Sequence, residues 1–156
     1  MICVVSETER EKTKTLRSGF GSVAGSEISR EASEMMGLFY ASAELSRRGW
    51  NVFLPVVGRV KQYDLVAEKE GRVVKVEVKG NRSEEVFWFS DAWYDKGSEV
   101  AAEFVIGVRA IDGPPVEFHV GSAREVVDAL VRAPNSEWAP WRAKDRFLNR
   151  WDKLPG

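Results

Sequence analysis

The segment Tyr63 to Gly80, YDLVAEKEGRVVKVEVKG, constrains the chain more than any other. It reads as two β-strands joined by a tight, charged turn. Side chains alternate faces along a strand. Val74, Val76 and Val78 therefore point one way, and Lys75, Glu77 and Lys79 the other. The valines need a core, which a covering helix supplies; the charged row needs water or a ligand. Register decides where Asp64 falls. A two-residue turn at Lys69-Glu70 or Glu70-Gly71 puts Asp64 on the face of Glu77, directly opposite it in the second case. A three-residue turn sends the two acids to opposite faces.

Like charges opposed across a ladder destabilise it, and a divalent cation between them removes that cost. Mg²⁺ takes oxygen ligands, commonly one or two carboxylates with water or phosphate completing the shell. Lys79 reaches the same point, where an ammonium can hold a water or stabilise charge developing on a phosphate. Alternating valine and charge is also how an ordinary half-exposed strand reads, so the residues alone leave a solvated hairpin open.

Around the hairpin the pattern changes period. Ser26 is a plausible N-cap for EISREASEMMGLFYASAELSRRG, in which Ile28, Ala32, Met35, Met36, Phe39, Tyr40 and Ala43 recur at helical spacing. Glu27 in the first turn and Arg47 and Arg48 in the last suit the helix dipole, Glu44 reads as solvent-facing, and Gly49 is a natural C′ stop. WNVFLP reads as a strand ended by Pro55. AEFVIGVRA, IDGPP and VEFHV read as a second hairpin, and SAREVVDALVRA as a short helix capped by Ser122. NRSEEVFWFSDAWYDKGSE is irregular and aromatic, and its VFWFSDAW stretch has the rings to stack bases; Phe87 and Phe89 are expected instead in a core or dimer interface, and Trp88 and Trp93 are left open between the two. Trp138, Trp141 and Trp151 are expected to pin the tail to the body, and His119, mid-strand among apolar neighbours, to be structural. The order predicts an α/β (α+β) fold with a central mixed β-sheet flanked by helices.

The chain has 156 residues, enough for one domain with its own core. The expectation is a single unit over 1–156, with 1–25 a flexible arm and 134–156 a packed tail. Composition is that of a soluble globular protein, with 44% hydrophobic and 30% charged residues. No run is long enough to span a membrane, and the start MICVVSETEREKTKT does not read as a secretory signal. Cys3 is the only cysteine, which fits a reducing, cytoplasmic setting. One histidine argues against zinc sites and two-histidine chemistry. The near-neutral total (−1) leaves room for a local basic patch.

The succession of helix, GWNVFLP and YDLVAEKEGRVVKVEVKG, across roughly Glu27 to Arg82, resembles the core of the PD-(D/E)XK (restriction endonuclease-like) nuclease superfamily. It is especially similar to small resolvase-like and homing-endonuclease-like members. The acidic motif matches Asp64, preceded by Tyr63 where the family has proline, and the second half matches Glu77-Val78-Lys79. The resemblance implies that Asp64 and Glu77 bind Mg²⁺ or Mn²⁺, with the Val78 carbonyl completing the shell and Lys79 assisting the attacking water. It implies hydrolysis of DNA phosphodiester bonds by an endonuclease.

Many members carry a further glutamate on the first helix. The matching position here is Leu38, and Glu34 and Glu31 lie one and two turns earlier, able to reach in if the helix is shifted; Glu34 is taken as the catalytic candidate. Nucleic-acid contacts are expected from Arg59, Lys61, Lys75, Asn81 and Arg82, and two copies of one active site suggest a homodimer or higher homo-oligomer on duplex or branched DNA. The alternative is a catalytically inactive protein of the same fold that binds nucleic acid or a protein partner.

Overall fold

The computed structural model describes residues 30–55, 63–81, 86–90, 93, 101–110, 116–131, 136–143 and 145–155. The expected arm, the Ser26 cap, Glu27 and the IDGPP turn lie outside the described residues. Helix α1 (Arg30–Arg47) is followed by strands β1 (Asn51–Phe53), β2 (Leu65–Lys69), β3 (Arg72–Asn81), β4 (Val86–Ser90), β5 (Phe104–Ala110) and β6 (Val116–Ser122). Helix α2 (Ala123–Ala129), strand β7 (Trp138–Arg142) and two 3₁₀ turns, Asp145–Phe147 and Trp151–Lys153, complete the described chain. A five-stranded sheet runs β1-β2-β3-β5-β6, and β4 pairs with β7 in a separate ribbon. Within the large sheet β3 and β5 are parallel and the other pairs antiparallel, the mixed sheet expected.

Alternation along the strands builds two cores. Val74, Val76 and Val78 of β3, with Ile106 and Val108 of β5, pack against Ala41 and Leu45 of α1. Val105, one residue out of phase, belongs to the other face, under Phe87 and Phe89 of β4, Trp141 of β7, Val126 of α2 and Phe147. Gly107 makes that second layer possible. A Cβ there would sit 2.7 Å from Phe87 and 3.0 Å from Trp141.

Helix α1 ends as its sequence predicts. Gly49 adopts φ +84°, with Trp50 N–H donating to the Leu45 carbonyl (3.1 Å) and Gly49 N–H to that of Ser46 (3.0 Å), a Schellman stop. Its buried stripe is not the predicted one. Met35, Phe39 and Tyr40 are exposed, whereas Gly37, Ala41 and Leu45 are buried. The close approach to β3 is at Gly37, where a Cβ would lie 2.6 Å from Gly80 Cα, and Ala41 and Leu45 fill the core further along the helix. Glu44 is not solvent-facing either. Its side chain is 15% exposed and is covered by its bonds to Arg47 and Arg48 (2.7–2.8 Å).

The tail packs as expected in part. Trp141 and Trp151 are buried, and the Arg48 guanidinium lies 4.5 Å from the Trp151 ring centre. Trp138 instead stands 40% exposed. His119 is buried against the edge of Phe87, and burial lowers its pKa against the pull of Glu117. It lies outside the acid site described below, in keeping with a structural role.

Ser122 caps α2 in a full capping box with Glu125, which also pairs with Lys153 from the final 3₁₀ turn. The Lys153 bond chiefly, with the Ser122 contacts, holds the Glu125 carboxyl down at about 2. A depressed carboxyl contributes stability above its unfolded pKa, and that contribution is lost as pH falls from about 4.5 toward 2. Glu125 is 46% exposed, so the expected cost of Glu125→Gln at pH 7 is modest, roughly 1 kcal/mol. Urea unfolding at pH 7 and pH 2.5 checks it: the gap between wild type and variant should narrow at the lower pH.

Candidate active site

The β2–β3 turn is the two-residue Glu70-Gly71 form. Both residues have positive φ (52° and 79°), a type I′ turn that suits the twist of a hairpin. Lys69 pairs with Arg72 and Leu65 with Val76, and the same register carried one step further sets Asp64 opposite Glu77. The chain bends at Asp64. Its N–H donates to the Val76 carbonyl (2.9 Å), and its Oδ2 accepts from Val78 N–H (2.7 Å). The aspartate is thus fixed across the backbone of the residue that links Glu77 to Lys79. Lys79 Nζ lies 2.6 Å from Glu77 Oε1 and 5.2 Å from the Phe89 ring centre. Glu77 is only 8% exposed, so the charged row does not simply face water. The β4–β7 layer covers part of it.

Helix α1 closes the other side. Gly37 and Gly80 meet backbone to backbone: a Cβ on Gly80 would lie 2.3 Å from the Ser33 carbonyl oxygen, and one on Gly37 2.6 Å from Gly80 Cα. This contact sets Ser33, Glu34 and Glu31 along a cleft of about 920 Å³ that also holds Asp64, Val78 and Lys79. The Glu34 charge acts on both Asp64 and Glu77. Leu38, at the position where the family resemblance implies an acid, forms apolar wall.

Burial is the main force on the acid pair. It pushes the Asp64 carboxyl up, opposed by Val78 N–H and the Lys79 charge and reinforced by Glu34. It likewise raises Glu77, with Lys79 opposing and Asp64 and Glu34 adding repulsion. Among the described residues, one ammonium therefore faces several carboxylates in a partly desolvated place. Among the described residues no three acidic, histidine or cysteine side chains form a ready-made metal cage. Asp64 and Val78 line an open cleft with room for water or phosphate, Glu77 follows next to Val78 on the strand, and carboxylate and carbonyl oxygens are the donor type that suits Mg²⁺ or Mn²⁺.

The expected nucleic-acid residues fare unevenly. Lys75 is exposed on β3 outside the cleft, its ammonium 5.6 Å from the Tyr63 ring centre. Asn81 lines the cleft, but its Nδ2 donates to the Val86 carbonyl (2.6 Å) and ties β3 to β4. Arg59, Lys61 and Arg82 lie outside the described residues. Sequence reasoning missed Gly37 and Gly80, whose facing positions on helix and strand were the available signal.

Residues 36–104, from α1 through the hairpin to the start of β5, match the PD-(D/E)XK endonuclease family. That stretch, a little under half of the chain, is similar to a PD-(D/E)XK nuclease core. The match spans Asp64, Glu77 and Lys79 and begins two residues after Glu34. A bacterial homing endonuclease superposes with a TM-score of 0.55 at 19% identity, covering 80% of this chain and 90% of its own. Hjc, a Holliday junction resolvase from the archaeal hyperthermophile Archaeoglobus fulgidus, covers 69% of this chain and 81% of its own at 15% identity, with a TM-score of 0.47. No curated protein matches. The superfamily resemblance and the restriction endonuclease-like fold read from the sequence both hold, and the family match supports a nuclease. No described helix is long and apolar enough to cross a membrane.

Proposed function

We propose that the protein is a divalent-metal-dependent endonuclease that hydrolyses DNA phosphodiester bonds at the Asp64–Glu77–Lys79 site. The observation that carries this is the locking of Asp64 onto Val78 N–H, beside the Glu77–Lys79 pair, in an open cleft that Asp64, Val78 and Lys79 line. Asp64, Glu77 and the Val78 carbonyl would hold the cation, with Glu34 adding negative charge from α1. When bound, Mg²⁺ or Mn²⁺ supplies charge neutralisation at the phosphate and a more acidic water. Water oxygen bonds to phosphorus, the bond to the leaving strand's oxygen breaks, and the water proton passes through solvent to that oxygen.

Lys79 has two tasks. Its ammonium is anchored by Glu77 and by the face of Phe89, so it stays put as negative charge builds on the phosphate and the attacking water. Because Glu77 shares its charge with Lys79, the lysine also tunes how firmly the acid pair repels. Lys75 and Asn81, with Arg59, Lys61 and Arg82, are the proposed grip on the strand, a grip that salt should weaken. A homodimer on duplex or branched DNA is the proposed assembly, since one site cuts one strand. The exposed Phe39 and Tyr40 of α1 offer apolar surface for it.

Cleavage of supercoiled plasmid with Mg²⁺, Mn²⁺ or EDTA tests the proposal. Wild type should nick or linearise only with metal, and Lys79→Ala should lose about 10²–10³-fold in rate, the usual cost of removing one preorganised charge donor. Metal-independent cutting, or a Lys79→Ala variant as fast as wild type, would sink it.

A further inference from the structure

The cleft is larger than a cation and one phosphate require, and its two walls differ in chemistry. The α1 and β2–β3 side carries the carboxylates Glu31, Glu34 and Asp64 and the ammonium of Lys79, whereas the opposite wall is uncharged among the described residues. That wall is the outer face of the β4–β7 ribbon. Phe87, Phe89, Ala139 and Trp141 point inward to the core, so alternation turns Trp88 and Trp138 outward. Trp88 pairs with Pro140, which makes Trp138, two residues earlier on β7, its diagonal neighbour on the same face. The two indoles are 47% and 40% exposed, and both line the cleft.

Both are held on a rigid base. Asn81 bonds the Val86 carbonyl and fixes β4 to the end of β3, two residues beyond Lys79. Ser136 Oγ accepts from Trp138 N–H (3.1 Å) and donates to the Trp138 carbonyl (3.0 Å), setting the backbone at the entry to β7. Indole faces placed opposite a cluster of carboxylates suit an uncharged planar group better than a second phosphate.

We propose that Trp88 and Trp138 form a stacking platform for an unpaired base next to the scissile phosphate, so that the preferred substrate is DNA with single-stranded or unstacked nucleotides. The inference rests on the nuclease reading for the position of the phosphate. A base in a continuous duplex is already stacked on its neighbours and must first be pulled out, which costs binding energy. A base in a flap, bubble or branch is free to enter, and stacking on an aromatic face is tolerant of base identity.

Metal-free binding tests this apart from catalysis. Fluorescence anisotropy in EDTA would compare a labelled single-stranded oligonucleotide, the same strand with consecutive abasic sites, and its duplex. Wild type should favour the base-bearing single strand over the abasic one. Trp88→Ala and Trp138→Ala should each weaken that binding by about 5–100-fold and leave the abasic strand and the duplex nearly unchanged. Trp88→Phe and Trp138→Phe should recover most of the loss, which separates stacking from damage to the ribbon. Equal binding of base-bearing and abasic strands by wild type overturns the proposal, even if plasmid cleavage succeeds. Base-dependent binding without any metal-dependent cleavage upholds the platform and sinks the nuclease reading instead. No binding of any of these DNAs at low salt overturns both.

Discussion

Asp64→Asn is expected to abolish metal-dependent cleavage, by about 10³-fold or more, and at the same time to raise the melting temperature of the metal-free protein. Asparagine keeps the shape of the side chain, and its carbonyl oxygen can still accept from Val78 N–H as Asp64 Oδ2 does. What it removes is a charge that burial disfavours and that Glu34 repels. Relief of such a conflict at a functional site commonly yields about 0.5–2 kcal/mol, with function as the cost. For a chain of this size that is a rise of roughly 1–8 °C.

The same substitution should erase stabilisation by metal. Wild type should gain melting temperature with Mn²⁺ in proportion to the logarithm of its concentration above the dissociation constant, and Asp64→Asn should stay flat. Glu77→Gln would give a less clean result, because it strips Lys79 of its 2.6 Å partner and trades one unbalanced charge for another. A metal-free Asp64→Asn protein less stable than wild type would mean that the aspartate is a structural tie rather than a strained ligand. A Mn²⁺ shift that survives the substitution would remove Asp64 from the metal site.

The hairpin was legible because its period-2 pattern leaves few registers. Of the two tight turns weighed, Glu70-Gly71 is the one whose residues both take positive φ, and it places Asp64 opposite Glu77. The C-terminus of α1 was legible for a similar reason, since Gly49 fits a left-handed C′ position. The ribbon was not. Val86 pairs with Arg142, and neither strand shows its partner locally. Pro140 also argues against a strand unless it is an edge, which β7 in a two-stranded ribbon is. Trp138 was misassigned because tryptophan in a tail usually buries itself, and only the pairing to β4 shows which face it takes. Counting hydrophobic residues failed on α1, where Met35, Phe39 and Tyr40 are exposed and the buried face runs through Gly37, Ala41 and Leu45 instead. Glu34 shares that origin: its place beside the acid pair depends on helix height over the sheet, a quantity that no spacing along the helix encodes.

That height makes Gly80→Ala the most damaging small substitution expected in the described chain. Its Cβ would lie 2.3 Å from the Ser33 carbonyl oxygen, 3.1 Å from the Ser33 carbonyl carbon and 3.2 Å from Gly37 Cα. All three are backbone atoms, so no side chain can swing aside, and α1 must lift from β3. Overpacking of this kind costs about 3 kcal/mol, roughly 6–12 °C in melting temperature. The lift also carries Glu34 away from Asp64 and Glu77, and misplacement by about 1 Å can lower a rate about 10²-fold. Cleavage measured well below the variant's melting temperature separates the two effects. Gly71→Ala supplies the control: nothing lies within 4 Å of its Cβ, but φ is +79°. It should lose about 1 kcal/mol to backbone strain and cleave at the wild-type rate. If Gly80→Ala is destabilised yet cleaves as fast as wild type in its folded state, the helix does not position the site, and Glu34 has no part in the chemistry.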